Sequence, residues 1–311
     1  MKLNVLITCK QLQQTINSYR SLFSEHGIEI EMPHVVQKLD EPEILKIIDR
    51  FDGVIAGDDE FTAKVIEKGK RLKVIAKWGV GVDAIDIDAA NRLGIRVLNT
   101  PNVFSDEVAD VVIGYMILFA RQLHKLDQSV RKGNWDKIRG ISLGGKTLGV
   151  IGVGSIGRAL VQRAIAARMI VVGYDEATIQ PSFIKETGLH SASLEELLKV
   201  SDFISLNCNL TSANRHMLGH REFAIMKKGV YIINTARGLL IDERALAQAL
   251  QEGKVAGAAL DVFEEEPLPH DSPLREFDTC IFGPHNSSNT YEAVMRTNEL
   301  AIRNLLEGLR E

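Results

Sequence analysis

Three stretches of this 311-residue chain carry side chains able to cradle a phosphate, grip a carboxylate and move a proton. The first is Gly152-Val153-Gly154-Ser155-Ile156-Gly157, which follows the apolar run TLGVI and precedes a helical pattern. Alone, a GxGxxG is only a glycine-rich turn. With a strand before it and a helix after it, the glycines let backbone approach a pyrophosphate, and the amides at Ser155 and Ile156 open a positive helix end. Asp175 closes the next apolar run, VVGYD, 18 residues after Gly157. A carboxylate there accepts from both ribose hydroxyls and repels a 2′-phosphate, so the expected dinucleotide is NAD rather than NADP.

The second stretch is Asn234-Thr235-Ala236-Arg237-Gly238, immediately after VYIIN. Ligands of open parallel sheets bind beyond the carboxyl ends of strands, where this arginine emerges. Its planar fork matches a carboxylate; in a plain turn it is a surface charge. The third stretch is Glu264-Glu265-Glu266-Pro267, with His285 following the strand-like CIFGPH. A glutamate triplet is by itself a solvated turn, and a histidine beside a proline is by itself structural. Both follow strands of one series, however, and a carboxylate beside an imidazole orients it and favours its protonated form. Such a histidine can protonate a developing alkoxide or deprotonate an alcohol. In Gly79-Val80-Gly81-Val82-Asp83, two glycines around a valine are either a strand-to-helix turn or a nest of backbone N–H groups for a carboxylate.

Gly140-Ile141-Ser142-Leu143-Gly144-Gly145-Lys146-Thr147 fits the triphosphate-binding pattern GxxxxGK[ST]. That loop needs a strand before it and a helix after it. Here a polar stretch precedes and a strand follows, so the segment reads as a connection.

The elements that must position these residues alternate. Strands are expected at Leu3–Thr8, Gly53–Ala56, Lys73–Ala76 and Arg96–Asn99, each brief, apolar and bounded by polar or glycine residues. Glu41–Phe51 reads as a helix with Pro42 in its first turn. After the Thr100-Pro101-Asn102 turn, Ser105 is expected to cap a helix from Asp106 to about Arg121, apolar on more than one face and therefore buried in a core or a subunit interface. Further strands are expected at Thr147–Ile151, Ile170–Tyr174, Phe203–Leu206, Val230–Asn234, Ala256–Leu260 and Cys280–Phe282, with Asp242 capping one of the helices between. The last helix, about Tyr291 to Leu309, has no strand after it and can fold back on the first domain. Alternating strands and helices imply parallel sheets covered on both faces.

Composition excludes several other classes. The 45% hydrophobic and 25% charged residues are those of a chain with a sizeable core. A net charge of −4 offers no basic field for nucleic acid or an anionic membrane. The longest apolar run, Val111 to Ala120, is short of the ~20 residues that span a bilayer. The N-terminus lacks a signal-peptide core. Cys9, Cys208 and Cys280 form no CxxC pair, which argues against a zinc site or a disulfide framework and for a cytoplasmic chain. No metal-ligand spacing occurs, so zinc-assisted chemistry is not expected.

Taken in order, KWGVGVDAIDIDAA at 77–90, GVIGVGSIGRA at 149–159, INTARG at 233–238, AGAALDVFEEEPL at 256–268 and GPHNSSNT at 283–290 resemble the D-isomer-specific 2-hydroxyacid dehydrogenase family, from about Val54 to the C-terminus. The resemblance implies an α/β protein in which a Rossmann-type NAD-binding domain, 101–286, is inserted into a smaller flavodoxin-like substrate domain, 1–100 plus 287–311, with a cleft that closes on binding. It implies that Arg237 binds the substrate carboxylate and polarises the carbonyl, with Val80 and Gly81 amides beside it. His285 is then the acid/base and Glu266 its partner, because the family's glutamate stands directly before the proline. Thr235 and Asp261 line the nicotinamide pocket; Gly152, Gly154, Ser155, Ile156, Gly157, Asp175 and Cys208 complete the NAD site. Related formate dehydrogenases have glutamine as the histidine's partner, so Glu266 favours hydroxyacid chemistry. A homodimer is implied through the 106–121 helix and the arm after it.

Two departures bear on the substrate. Asn207-Cys208-Asn209-Leu210-Thr211 stands where the family reads HxPLT, altering a loop on the adenine side. Gly57-Asp58-Asp59-Glu60 stands where phosphoglycerate dehydrogenases place arginine, and this acidic stretch repels a phosphate unless Lys77 compensates. The expected activity is hydride transfer between NAD(H) and a small D-2-hydroxy acid or 2-keto acid. The rivals are a D-3-phosphoglycerate dehydrogenase and a non-catalytic, NADH-sensing scaffold of the same fold.

Overall fold

The computed structural model describes residues 2–310. The chain forms two compact units, Met1–Val103 with Asn289–Glu311, and Phe104–Ser288. Residues 1 and 311 of the expected substrate domain lie outside the described residues.

The first unit holds five parallel strands, β1 (Leu3–Ile7), β2 (Ile28–Glu31), β3 (Gly53–Ala56), β4 (Val74–Lys77) and β5 (Arg96–Leu98), in the order β2-β1-β3-β4-β5. This is the flavodoxin-like doubly wound order. Side chains alternate across the sheet with period two. Val5, Ile7, Ile55 and Val74 enter one core with Ala301, Ile302 and Leu305 of the C-terminal helix Tyr291–Arg310. Leu6, Val54 and Ile75 enter the other with Ile44, Val65 and Ile66. Burying each such aliphatic side chain stabilises the fold by about 1.5–3 kcal/mol.

Three local expectations need correction. Strand β2 was not expected, because in Ile28-Glu29-Ile30-Glu31 every second residue is charged and no apolar run shows; it is an edge strand. The helix expected over Glu41–Phe51 ends at Leu45, and a separate 3-10 turn covers Ile48–Arg50. An Asp40–Glu43 capping box starts this helix, but the Lys46 N–H already tightens back onto Glu43, and Ile47 leaves helical φ at −129°. Ser105 is the first residue of the helix Ser105–Arg121 rather than its cap; Phe104 takes that place, without a side-chain bond.

The second unit holds seven parallel strands: β6 (Thr147–Ile151), β7 (Ile170–Tyr174), β8 (His190–Ser191), β9 (Phe203–Leu206), β10 (Val230–Asn234), β11 (Val255–Leu260) and β12 (Cys280–Phe282). Their order, β12-β11-β10-β9-β6-β7-β8, is the Rossmann arrangement with one added strand, and the order reverses between β6 and β9. Short β8 was also unexpected. Each central strand is buried on both faces: Ile232 joins the core under the helix Glu243–Gln251, and Ile233 joins Val112, Met116 and Leu160 on the other side. Asp242 caps Glu243–Gln251 by accepting from Arg244 and Ala245. The 140–146 segment precedes β6 as a loop, with Ile141 N–H on Ala120 and Gly145 N–H on Arg168, so no helix follows it. No helix among the described residues is long and apolar enough to cross a membrane.

Candidate active site

The glycine motif lies at the carboxyl end of β6, where the strand order reverses. Gly152 has φ +91°, and a β-carbon there would come within 2.6 Å of the Cys208 nitrogen in the loop after β9. At Gly157 a β-carbon would sit 2.0 Å from the Gly152 carbonyl oxygen, so only glycine lets the helix Ser155–Ala166 start this close to its strand. Gly154 and Ser155 are exposed, Ile156 is half-buried, and Gly154 is the helix N-cap. Asp175 follows β7, and its carboxylate accepts from Val153 N–H at 2.7 Å and Ala177 N–H at 2.9 Å. The acidic group expected at the ribose is therefore fastened to the glycine loop itself. Burial pushes the Cys208 thiol up to about 11, so this residue meets its neighbours as a neutral group.

The proton-transfer candidates come from the ends of adjacent strands. Glu266 follows β11, His285 follows β12, and His285 Nδ1 lies 2.8 Å from Glu266 Oε2. The other carboxylate oxygen of Glu266 accepts from Phe263 N–H at 3.0 Å, which fixes the carboxylate plane. Nδ1 is thus the ring nitrogen turned to the carboxylate, and Nε2 lies on the opposite side of the ring. The structure also separates the three glutamates. Glu264 and Glu243 exchange backbone-to-carboxylate bonds at 2.8 and 2.9 Å, and Glu264 approaches His216 Nε2 at 3.2 Å without hydrogen-bond alignment. Glu265 is exposed.

Arg237 leaves the end of β10, half-buried, with Nη1 donating to the Ala236 carbonyl at 2.8 Å. Its turn is closed by Asn234, which reasoning from sequence passed over. The buried Asn234 side chain accepts from Ala236 N–H at 3.0 Å and donates to the Arg237 carbonyl at 2.8 Å. An asparagine ending a strand just before the arginine was the available signal, since Asx side chains close such turns. Thr235 presents a buried hydroxyl oxygen with no hydrogen-bond partner among the described residues. An orphaned polar atom beside the strand ends, a glycine cradle and an anchored Asp175 fit a dinucleotide. Asp261 is buried, and its carboxylate accepts from the Asn286 and Ser287 amides.

Val80 and Gly81 belong to the first unit. They are half-buried in the turn after β4, where Gly79 pairs with Thr100 and the Val80 carbonyl accepts from Asn99 Nδ2 at 2.7 Å. In the same unit buried Lys77 donates to Asp58 at 3.0 Å and to the Trp78 carbonyl at 2.9 Å.

Residues 113–287 match the family model for the NAD-binding domain of D-isomer specific 2-hydroxyacid dehydrogenases. The chain is 43% identical over 286 residues to a D-3-phosphoglycerate dehydrogenase of Methanocaldococcus jannaschii, covering 91% of this chain but only 54% of that protein. The chain thus spans about half the length of that relative. It is 39% identical to a hydroxypyruvate reductase of Thermotoga maritima, with 93% of each chain covered. Among solved structures, D-lactate dehydrogenase from Aquifex aeolicus, complexed with NAD and lactic acid, superposes with a TM-score of 0.87 at 28% identity, covering 99% of this chain and 97% of that one. With the glycine cradle, the Glu266–His285 pair and the arginine turn in place, the chain belongs to the D-isomer specific 2-hydroxyacid dehydrogenases, a family of NAD-dependent oxidoreductases.

Proposed function

We propose that this protein reduces a small, unphosphorylated 2-keto acid to the D-2-hydroxy acid with NADH, and catalyses the reverse oxidation with NAD. The observation carrying this reading is the 2.8 Å Glu266–His285 pair, whose members follow the two strands next in order to the one that ends in the Arg237 turn. Bound NADH supplies the hydride. The Gly152, Gly154, Ser155, Ile156 and Gly157 backbone cradles its pyrophosphate, Asp175 takes the adenosine ribose, Cys208 borders the adenine side, and Thr235 and Asp261 border the nicotinamide. Arg237 grips the substrate carboxylate in a bidentate fork and draws electron density from the carbonyl. His285 hands a proton from Nε2 to the developing alkoxide, while Glu266 stabilises the imidazolium before transfer. Backbone amides at Val80 and Gly81 are assigned to the carboxylate.

In this reading 104–288 is the cofactor domain and the other unit the substrate domain. The preference against phosphate is supported by Lys77, whose charge is matched by Asp58 within the acidic 58–60 run. The 43% identity to a D-3-phosphoglycerate dehydrogenase favours phosphohydroxypyruvate as a second reading. A homodimer is supported by the exposed apolar row Leu123, Val130, Trp135, Ile138 and Ile141 following the Ser105–Arg121 helix. A cytoplasmic location is supported by three unpaired cysteines.

The test is NADH oxidation across glyoxylate, hydroxypyruvate, pyruvate, branched 2-keto acids and phosphohydroxypyruvate. Turnover of an unphosphorylated acid is expected. NADH binding with no turnover of any of them overturns the reading, and preference for phosphohydroxypyruvate moves it to the second. Sedimentation analysis reads the dimer.

A further inference from the structure

His285 adopts φ +54°, a left-handed backbone that residues with a β-carbon rarely take. Such a conformation persists only where its surroundings over-determine it. Here one buried residue brackets the histidine on both sides. The Asp261 carbonyl accepts from His285 N–H at 2.7 Å. The Asp261 carboxylate accepts from Asn286 N–H at 3.0 and 2.9 Å, from Ser287 N–H at 2.7 Å, and from the buried Ser287 hydroxyl. Asp261 is in turn tied to the arginine turn, because its own N–H donates to the Asn234 carbonyl at 2.9 Å. Room for this carboxylate comes from Gly283, where a β-carbon would stand 2.1 Å from Asp261 Oδ1 and 2.8 Å from the Tyr115 hydroxyl.

We propose that Ser287, acting through the Asp261 carboxylate, is a positioning residue for proton transfer: it locks the 285–287 turn and thereby holds the His285 imidazole on Glu266. This rests on the acid/base reading of His285 given above. Among the described residues the Ser287 hydroxyl is the one side-chain donor to that carboxylate, and the others are main-chain amides that substitution cannot delete. Removing it loosens the turn without touching the glycine cradle, Asp175 or Arg237. Displacements on the order of 1 Å at a reacting group reduce turnover by about 10²-fold.

The experiment compares wild type with Ser287→Ala and, independently, Gly283→Ala, which crowds the same carboxylate. In both, kcat with the best 2-keto acid is expected to fall by about 10- to 100-fold. The NADH dissociation constant is expected to rise by a smaller factor than kcat falls, since the glycine cradle and Asp175 are untouched and only the Asp261 border of the nicotinamide is disturbed. Amide hydrogen exchange at Asn286 and Ser287 accelerates. Wild-type kcat in Ser287→Ala, or a fallen kcat with those amides still protected, overturns the proposal. Failure of the acid/base reading shows differently, as wild-type turnover in His285→Ala, and the exchange measurement then still reports on the clamp.

Discussion

Glu266 and His285 stand 19 residues apart in the chain, and the Oε2 of one meets the Nδ1 of the other at 2.8 Å. In the proposed reading each partner has a distinct duty, orientation for the carboxylate and proton exchange for the imidazole. His285→Ala is therefore expected to lower kcat by ~10²–10⁴-fold while leaving NADH affinity near wild type. Glu266→Gln should show a smaller loss, because the amide still orients the ring but no longer offsets its charge. Steady-state kinetics with NADH fluorescence titration reads both, and near-normal turnover in His285→Ala refutes the role.

Arg237 is a fork, not a point charge. Arg237→Lys keeps the charge and loses the bidentate geometry, so kcat/KM should fall by roughly 10–100-fold, the equivalent of a charged hydrogen bond worth about 1.5–3 kcal/mol. An unchanged kcat/KM would make the arginine structural.

Asp175 holds the glycine loop through the Val153 N–H, and in the proposed reading it takes the adenosine ribose. Asp175→Ala should raise the NADPH-to-NADH ratio of kcat/KM, since the group that repels a 2′-phosphate is gone. A constant ratio contradicts the assignment.

Gly157 has no room for a side chain, with the Gly152 carbonyl 2.0 Å from where a β-carbon would stand. Gly157→Ala should lower stability by about 1–3 kcal/mol, as overpacking does, and weaken NADH binding together with it. A thermal melt and an NADH titration check this; wild-type values in both would show that the helix can shift.

Burial pushes the Cys208 thiol from 9.0 to about 11. As pH rises the unfolded chain loses this proton first while the folded chain keeps it, so folding stability falls between about pH 9 and 11 and is intact below. Urea melts across that range should show the decline, and Cys208→Ala should make it shallower without abolishing it, because burial raises the Cys9 and Cys280 thiols as well; an equal slope in the variant contradicts the cause.

The parts legible in the sequence are those fixed by local pattern. Strands such as Thr147–Ile151 and Phe203–Leu206 sit in the middle of a parallel sheet, so burial on both faces makes them continuous apolar runs. Edge strand Ile28–Glu31 is apolar only at every second residue and escaped notice. Among the glutamates at 264–266, residue type and position alone left three candidates. Tertiary placement separates them, because Glu264 is turned to Glu243 and His216 while Glu266 reaches His285. Ser287 was illegible for a related reason, because its partner is a carboxylate 26 residues away, which no spacing rule foretells. Asn234 differs, since its partners are main-chain groups two and three residues on, within reach of the Asx-turn rule.

Arg237, Glu266 and His285 leave β10, β11 and β12, three neighbouring rungs locked by the register Asn234↔Leu260 and Leu260↔Phe282. Their mutual spacing thus rests on the ladder beneath them as well as on the turns that display them. A random-mutagenesis screen scored for lost turnover should accordingly return apolar positions such as Ile233 and Ala259 as readily as polar ones. Lesions deep in that ledge would masquerade as chemical defects in molecules that remain folded.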